Sequence, residues 1–262
     1  MKILTKPNRI DFLDERFYHV ADKDGQPIYF PSVTSILNEF GKGYGFNQWL
    51  MDVGSNSAII ANRAAESGSI VHEALHQLAL GVEINWNDKV IGDYKYHSDH
   101  YSLEEWKGIL KFKEFVDQTQ PTGFNPESMV YSLNNKYAGT VDLVCDINGE
   151  TYLIDYKFGE NIYETAFLQV SAYAKAVEEL GRKIDKVGVL HLKAKTRGAD
   201  KRGKVIQGNG WKLATHKYSI DQLFETFLAV KKIYDYKVSI GELPDKPANK
   251  SYETKVKLTL KT

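Results

Sequence analysis

Two apolar, β-branched stretches joined by Asn148-Gly149 form the clearest pattern along the chain. The first stretch is YAGTVDLVCDI at 137–147 and the second is ETYLIDYK at 150–157. Because Asn and Gly both tolerate the positive φ of a type I′ turn, the pattern predicts a β-hairpin. A two-residue turn sets Ile147 opposite Glu150 and, by counting outward, Asp142 opposite Asp155. A three- or five-residue loop would slip this register and separate the two acids.

Helical patterns precede and follow this hairpin. Apolar residues and alanines recur through 55–80, and Gly68 interrupts them, which predicts either one kinked helix or two helices. The stretch 81–101 is polar and glycine-containing, and we expect it to be irregular. Further helices are predicted at 33–40, 102–119, 163–180 and 221–240.

Shorter apolar runs predict the remaining strands. They comprise a hairpin at 16–30 with Asp24-Gly25 at its turn, single strands at 128–133, 187–192 and 212–218, and an edge strand at 256–260. A strand at 128–133 followed by the central hairpin makes an antiparallel meander. Together with the following helix and strand, it predicts an α/β fold with a mixed central sheet flanked by helices. We assign residues 1–262 to one domain, with a core at 55–218, an N-terminal addition at 1–54, and a C-terminal helix and tail at 219–262.

Composition narrows the function classes. The chain has 262 residues and one cysteine, Cys145, which excludes an intrachain disulfide and a four-cysteine iron–sulfur cluster. The N-terminal sequence lacks the apolar region of a signal peptide, and no apolar run reaches the roughly 18 residues of a membrane helix. The sequence therefore predicts a soluble cytoplasmic protein with no membrane association.

The net charge of the whole chain does not indicate a nucleic-acid partner, because 34 lysines and arginines balance 34 aspartates and glutamates. Locally, however, 182–217 carries eleven basic residues against Asp185 and Asp200. The segment from Lys193 to Lys217 also contains several glycines and Trp211. It is a candidate DNA-binding surface on which the indole could stack on a base, although a charged run is as often an ordinary solvated loop.

The opposed Asp142 and Asp155 are the candidate catalytic residues. Like charges directly across an antiparallel pair are destabilising unless something neutralises them. Lys157 lies two positions from Asp155 and so faces the same way. A hard divalent cation prefers carboxylate oxygens, and an adjacent lysine could orient or deprotonate water. The alternative is a salt-bridged polar patch. Glu127 could add a further carboxylate through water.

Four spaced motifs resemble those of the PD-(D/E)xK nuclease superfamily, in its RecB-like branch of phage recombination exonucleases. They are GSIVHE at 68–73, GTVD at 139–142, IDYK at 154–157 and QVSAY at 169–173. The resemblance implies a restriction-endonuclease-like core and a cofactor of Mg²⁺ or Mn²⁺, with no iron–sulfur cluster. It also implies the setting of a bacterium or a phage-infected host.

The resemblance further assigns roles to individual residues. It implies metal ligation by His72, Asp142, Asp155 and the backbone carbonyl of Tyr156. Lys157 would activate water, while Gln169 and Tyr173, on one face of a helix, would position the lysine, the substrate phosphate or the water. The expected function is a metal-dependent deoxyribonuclease, by resemblance an exonuclease of DNA recombination, repair or phage replication. A recombination or single-strand-binding protein is a possible partner.

Two other function classes stay open. Residues 72–76 spell HEALH, an HExxH motif that on a helix could bind zinc through His72 and His76, with Glu73 as the general base of a metallopeptidase. That alternative leaves the two acids and Lys157 unexplained. A non-catalytic nucleic-acid-binding protein is the other class. Each candidate residue also has an ordinary structural interpretation, such as a core histidine at His72 or a half-buried tyrosine at Tyr173.

Overall fold

The computed structural model describes residues 9–12, 15–21, 27–41, 43–193, 197–199, 202–207 and 210–247. Its strands and helices, in chain order, are β1 (Arg9–Phe12), β2 (Glu15–Ala21), β3 (Pro27–Pro31), α1 (Val33–Leu37), α2 (Gly43–Val53), α3 (Ser57–Ala79), α4 (Leu103–Thr119), β4 (Thr122–Ser132), β5 (Tyr137–Ile147), β6 (Glu150–Lys157), α5 (Glu164–Glu179), β7 (Lys186–His191), β8 (Arg197–Ala199), β9 (Val205–Gln207), β10 (Lys212–Ala214) and α6 (Ile220–Ser239). Short 3₁₀ helices span Asn38–Phe40 and Gly54–Asn56.

A five-stranded sheet lies at the centre of the fold, in the order β10-β7-β6-β5-β4. The pairs β4–β5, β5–β6 and β7–β10 are antiparallel, whereas β6 and β7 are parallel because α5 crosses between them. An α/β fold with a mixed sheet and an antiparallel meander is therefore confirmed. A separate sheet, β1-β2-β3, contains one strand, β1, that the sequence patterns did not predict.

The central hairpin has the predicted turn. Asn148 and Gly149 both have positive φ, 52° and 83°, as a type I′ turn requires. The predicted register is confirmed from Ile147 opposite Glu150 as far as Leu143 opposite Ile154. The turn residues therefore fix which strand positions face each other across the hairpin.

Helices cover both faces of the central sheet. On one face, Val144 and Leu153 belong to an apolar cluster with α1, α5 and α6; on the other, Leu143 and Ile154 belong to a cluster with α3 and α4. Val141 packs in the first cluster, although strict alternation predicts that it shares a face with Leu143. The alternation along β5 thus changes between Val141 and Leu143, at Asp142.

Local sequence explains the ends of the helices. Ser102 caps α4 in a capping box with Glu105, and Ser219 caps α6 in the same way with Gln222. α3 passes through Gly68 as one helix of 23 residues. The stretch 81–101 has no helix or named strand, as predicted. The predicted turn Asp24-Gly25 and the predicted edge strand 256–260 lie outside the described residues.

The β1-β2-β3 sheet packs onto the central sheet. Tyr18 and Phe30 form an apolar cluster with Met129 of β4 and Ala138 of β5. The Tyr18 hydroxyl also lies 3.2 Å from the Thr140 hydroxyl, a hydrogen bond between the two sheets. These contacts bring the N-terminal strands beside the part of β5 that carries Asp142.

Candidate active site

Asp142 and Asp155 flank the point where β5 and β6 separate. The last ladder pair is Leu143 with Ile154, so the acids are the next residues outward rather than a paired position. Asp142 Oδ2 accepts a hydrogen bond from the Tyr156 N–H at 2.7 Å. The hydrogen-bonded ladder therefore ends one pair before the acids, and at Asp142 a side chain of β5 accepts the hydrogen bond from the backbone of β6.

Asp155 lies at the centre of a polar network with β6 and α5. Asp155 is almost completely buried, with 2% of its surface exposed. One carboxylate oxygen, Oδ1, accepts from Gln169 Nε2 at 2.7 Å, and the other, Oδ2, lies 2.7 Å from Lys157 Nζ. Gln169 also accepts from Lys157 Nζ at 3.4 Å and donates to the Tyr173 hydroxyl at 3.2 Å. The structure thus brings three other predicted site residues, Lys157, Gln169 and Tyr173, into one network with the buried Asp155 carboxylate.

Gly139 lets Tyr173 approach β5. A Cβ atom added to Gly139 would lie 2.4 Å from a carbon of the Tyr173 ring, closer than van der Waals contact allows. The ring therefore packs directly over the backbone of β5. This contact sets the position of α5 relative to the strand that carries Asp142.

His72 reaches the site from the opposite side, on α3. Its Nδ1 lies 3.4 Å from Asp142 Oδ1, and its ring packs edge-on against the Tyr156 ring at 5.7 Å between centroids. Tyr156 in turn packs against Phe112 of α4. The His72 side chain is one-third exposed and lines the open side of the site.

Burial and neighbouring charges have opposing effects on the pKa values of Asp155, Asp142 and Lys157. Burial, and to a lesser degree the Asp142 charge, raise the pKa of Asp155 despite the Lys157 ammonium. Burial acts the same way on Asp142, but His72 and the Tyr156 N–H outweigh it and lower the pKa of that carboxyl. The pKa of Lys157 is raised, because Asp155 and Asp142 outweigh burial. In this arrangement Lys157 is an ammonium, suited to donating hydrogen bonds rather than to removing a proton.

A cavity of about 540 Å³ opens over these residues, within the range of ligand sites in proteins. α3 and the β1-β2-β3 sheet form much of its wall, and Tyr94 from the irregular stretch 81–101 also reaches it. The lining residues are Arg9, Arg16, Tyr18, Thr34, Ala65, Gly68, Ser69, His72, Glu73, His76, Tyr94, Thr140, Asp142, Asp155, Tyr156, Lys157, Gln169 and Tyr173.

Two arginines of this lining were not among the predicted site residues. Arg9 binds Asp11 through both Nε and a terminal nitrogen, at 3.2 and 2.9 Å, and Arg16 Nε lies 3.5 Å from the same carboxylate. The N-terminal strands are therefore part of the cavity wall and not only an addition to the core. The alternating RFYHV pattern indicated the strand, but not its contact with β5.

The basic segment from Lys193 to Lys217 is not among the cavity-lining residues where the structure describes it. Lys193 instead forms an ion pair with Glu104 at 2.8 Å and lies over the Phe158 ring. Trp211 packs edge-on against Phe115 in the core under α4. The indole is half-buried, so this contact occupies part of the ring that was predicted to stack on a base. Residues 194–196, 200–201 and 208–209 lie outside the described part of the chain.

The ligand geometry distinguishes two kinds of metal site. Zinc sites use at least three protein ligands, commonly His, Cys, Asp or Glu. Among the described residues, no group of three or more such side chains is arranged to hold an ion. In the HEALH sequence, Glu73 accepts a hydrogen bond from Gln77. The described structure therefore gives the zinc alternative no third ligand.

Mg²⁺ and Mn²⁺ need fewer ligands from the protein. Mg²⁺ is usually held by one or two carboxylates, with waters and substrate phosphate completing the octahedron. Neighbouring ligands of such an octahedron lie about 3 Å apart, and His72 Nδ1 and Asp142 Oδ1 are separated by 3.4 Å. The His72–Asp142 pair therefore has the spacing of two adjacent ligands, and waters and substrate phosphate would supply most of the remaining positions. The Glu127 side chain lies outside the described residues.

No protein-family model matches this sequence, and no curated protein matches it either. No helix in the described part of the chain combines the length and apolar character needed to cross a bilayer.

Proposed function

We propose that this protein is a Mg²⁺- or Mn²⁺-dependent deoxyribonuclease, with its active site at the open end of the β5–β6 hairpin. The observation that carries the proposal is the cluster of Asp155, Lys157 and Gln169, with Asp142 and His72 beside it in one cavity. A salt-bridged surface patch would not need a 2%-exposed carboxylate braced by a glutamine. The fold core proposed for it is restriction-endonuclease-like.

The residues divide the chemistry among them. A bound divalent cation would neutralise charge on the phosphoryl oxygens and favour formation of a hydroxide nucleophile from water. Asp142, Asp155, His72 and the Tyr156 carbonyl would hold it. Lys157, whose Nζ lies 2.7 Å from Asp155, would donate hydrogen bonds to the phosphate or the attacking water and stabilise charge that develops in the transition state.

Gln169 fixes the orientation of both groups. Its amide donates to Asp155 and to Tyr173 while its oxygen accepts from Lys157. The carboxylate and the ammonium are thus held before substrate arrives, which reduces the reorganisation that the reaction requires. Residues that orient the groups around a metal in this way typically contribute 10- to 100-fold to activity or affinity.

The test is cleavage of labelled DNA supplied as linear duplex, nicked circle, closed circle and single strand. We expect cleavage with Mg²⁺ or Mn²⁺, none with EDTA, and at least about a hundredfold loss in Lys157→Ala. Cleavage limited to substrates with ends would assign an exonuclease. Lys175→Ala, which removes a half-buried lysine on α5 outside the cavity, is the matched control and should cleave normally. DNA binding without cleavage under every condition would instead indicate a non-catalytic binding protein.

A further inference from the structure

A second cavity, of about 500 Å³, lies beside the active-site cavity and has a different chemistry. Its wall includes Phe40, at the end of the 3₁₀ turn after α1, Phe46 of α2 and Tyr163, the residue that precedes α5. Phe40 and Tyr163 are 43% and 58% exposed. Phe46 is half-buried and contacts Trp49 on the same helix. Two aromatic rings therefore face solvent at one cavity.

The two cavities share a wall. Thr34 of α1 and Gln169 of α5 line both of them. Gln169 is the residue that donates to Asp155 at 2.7 Å, so the aromatic cavity begins one side chain away from the carboxylate of the active site. A chain-like ligand whose phosphate lies at Asp155 can therefore pass its neighbouring unit over Gln169 into the second cavity.

The chemistry of the lining selects what that unit is. Exposed aromatic rings beside a phosphate site bind nucleobases by stacking, and every base offers a π face. Inside a duplex both faces of a base are already stacked on its neighbours, so only an unpaired base can use the rings. The described lining of the second cavity carries one charged side chain, Glu164, which lies 3.3 Å from His216. Phosphates thus gain nothing there, whereas bases do.

We propose that the cavity formed by Phe40, Phe46 and Tyr163 binds an unpaired nucleobase next to the phosphate to be cleaved, which makes single-stranded DNA or an unpaired strand end the substrate of this site. The inference rests on the proposed nuclease function and specifies its substrate class. Base stacking on Phe40 and Tyr163 holds the strand across Gln169. The strand is thereby aligned with Asp155 and Lys157.

The test measures binding of a single-stranded oligonucleotide with 2-aminopurine at its end, in EDTA so that no metal-dependent cleavage occurs. Stacking on an aromatic ring should quench the fluorescence of the wild-type complex. Phe40→Ala and Tyr163→Ala should each weaken binding about tenfold and reduce the quenching, since one stacked base contributes roughly that much. Tyr163→Phe keeps the ring and should behave as wild type.

Tyr236→Ala is the matched control, because Tyr236 is 63% exposed on α6 and lines neither cavity. A covalently closed duplex circle offers no unpaired base, and the alanine variants should bind it as wild type does. Unchanged affinity and quenching in both alanine variants would overturn the inference, even if the enzyme cleaves DNA. Absence of cleavage in the wild type, with stacking intact, would instead overturn the proposed nuclease activity and leave the base-binding cavity standing.

Discussion

Both ends of the β5–β6 hairpin carry aspartate, but the aspartate side chains have different hydrogen-bond partners at the two ends. Near the turn, Asp146 is a ladder partner of Thr151 and accepts a hydrogen bond from its hydroxyl at 2.7 Å. At the open end, Asp142 and Asp155 lie beyond the last ladder pair and depend on groups from α3, α5 and β6. An acid within the ladder is satisfied by its cross-strand neighbour, whereas an acid beyond it is available for chemistry.

The largest effect expected from this contrast is on activity. Asp155→Asn removes the charge at the centre of the network and should lower DNA cleavage at least about a hundredfold. Asp146→Asn is the matched change at the closed end, and it should leave cleavage within about twofold, because the Asp146 carboxylate accepts its hydrogen bond from Thr151 and lines no part of the active-site cavity. Initial rates on one labelled DNA substrate, with circular dichroism to confirm folding, check both variants. Equal losses in the two variants would remove the distinction between the ends.

A second change separates stability from activity. Gly149 has φ 83°, where an alanine is strained, so Gly149→Ala should lower the free energy of unfolding by about 1–2 kcal/mol. A Cβ at this position meets nothing within 4 Å, so the cost is one of backbone conformation and not of packing. Urea unfolding measures it. Gly45→Ala, in α2, also has open space but no positive φ, and should be neutral or slightly stabilising.

The activity of Gly149→Ala, measured where the variant is fully folded, should equal that of the wild type. The turn lies at the end of the hairpin away from the acids. A large loss of cleavage in a folded Gly149→Ala protein would show that the two ends are coupled.

The smallest effect concerns Cys145, within the paired half of β5. Burial, with the Asp146 charge, raises the pKa of this thiol to about 12, above its value of about 8.5 in an unfolded chain. The folded state therefore favours the neutral thiol, and this contribution to stability is complete below about pH 8.5. It is lost as the pH rises towards 12.

Urea unfolding at pH 7 and pH 10 should show a decrease in stability that is smaller in Cys145→Ala. Alkylation of Cys145 by iodoacetamide at pH 8 should likewise be slow until urea unfolds the protein, because the reactive species is the thiolate. Rapid alkylation of the folded protein would contradict the burial of this residue.

The same contrast shows what sequence patterns could predict. Asn148-Gly149 determined the register from Ile147 to Leu143, because a type I′ turn leaves one way to pair the strands. The pattern could not show where the ladder stops, since that depends on the Tyr156 N–H turning to a side chain. The structure brings the two acids into one cavity, one position beyond the last ladder pair.

Residues far apart in the chain were harder to place. Arg9 and Arg16 line the cavity because Tyr18 and Phe30 pack on Met129 and Ala138, a contact between sheets that no local pattern encodes. Trp211 was assigned to a DNA-binding surface from its basic neighbours, and its edge-on contact with Phe115 of α4 was not predicted. Periodicity reports which face of an element is apolar, but not which element covers it.

The docking of the N-terminal sheet also has a consequence for biosynthesis. Phe30 precedes Met129 by 99 positions, so a ribosome completes β1-β2-β3 well before it makes the surface on which that sheet packs. At translation rates of about 5–20 residues per second, the interval is about 5–20 s. During that time Tyr18 and Phe30 lack Met129 and Ala138, the partners from the central sheet against which they pack. The wall that carries Asp142 to Tyr173, by contrast, comes from one contiguous stretch and can assemble as soon as it leaves the ribosome.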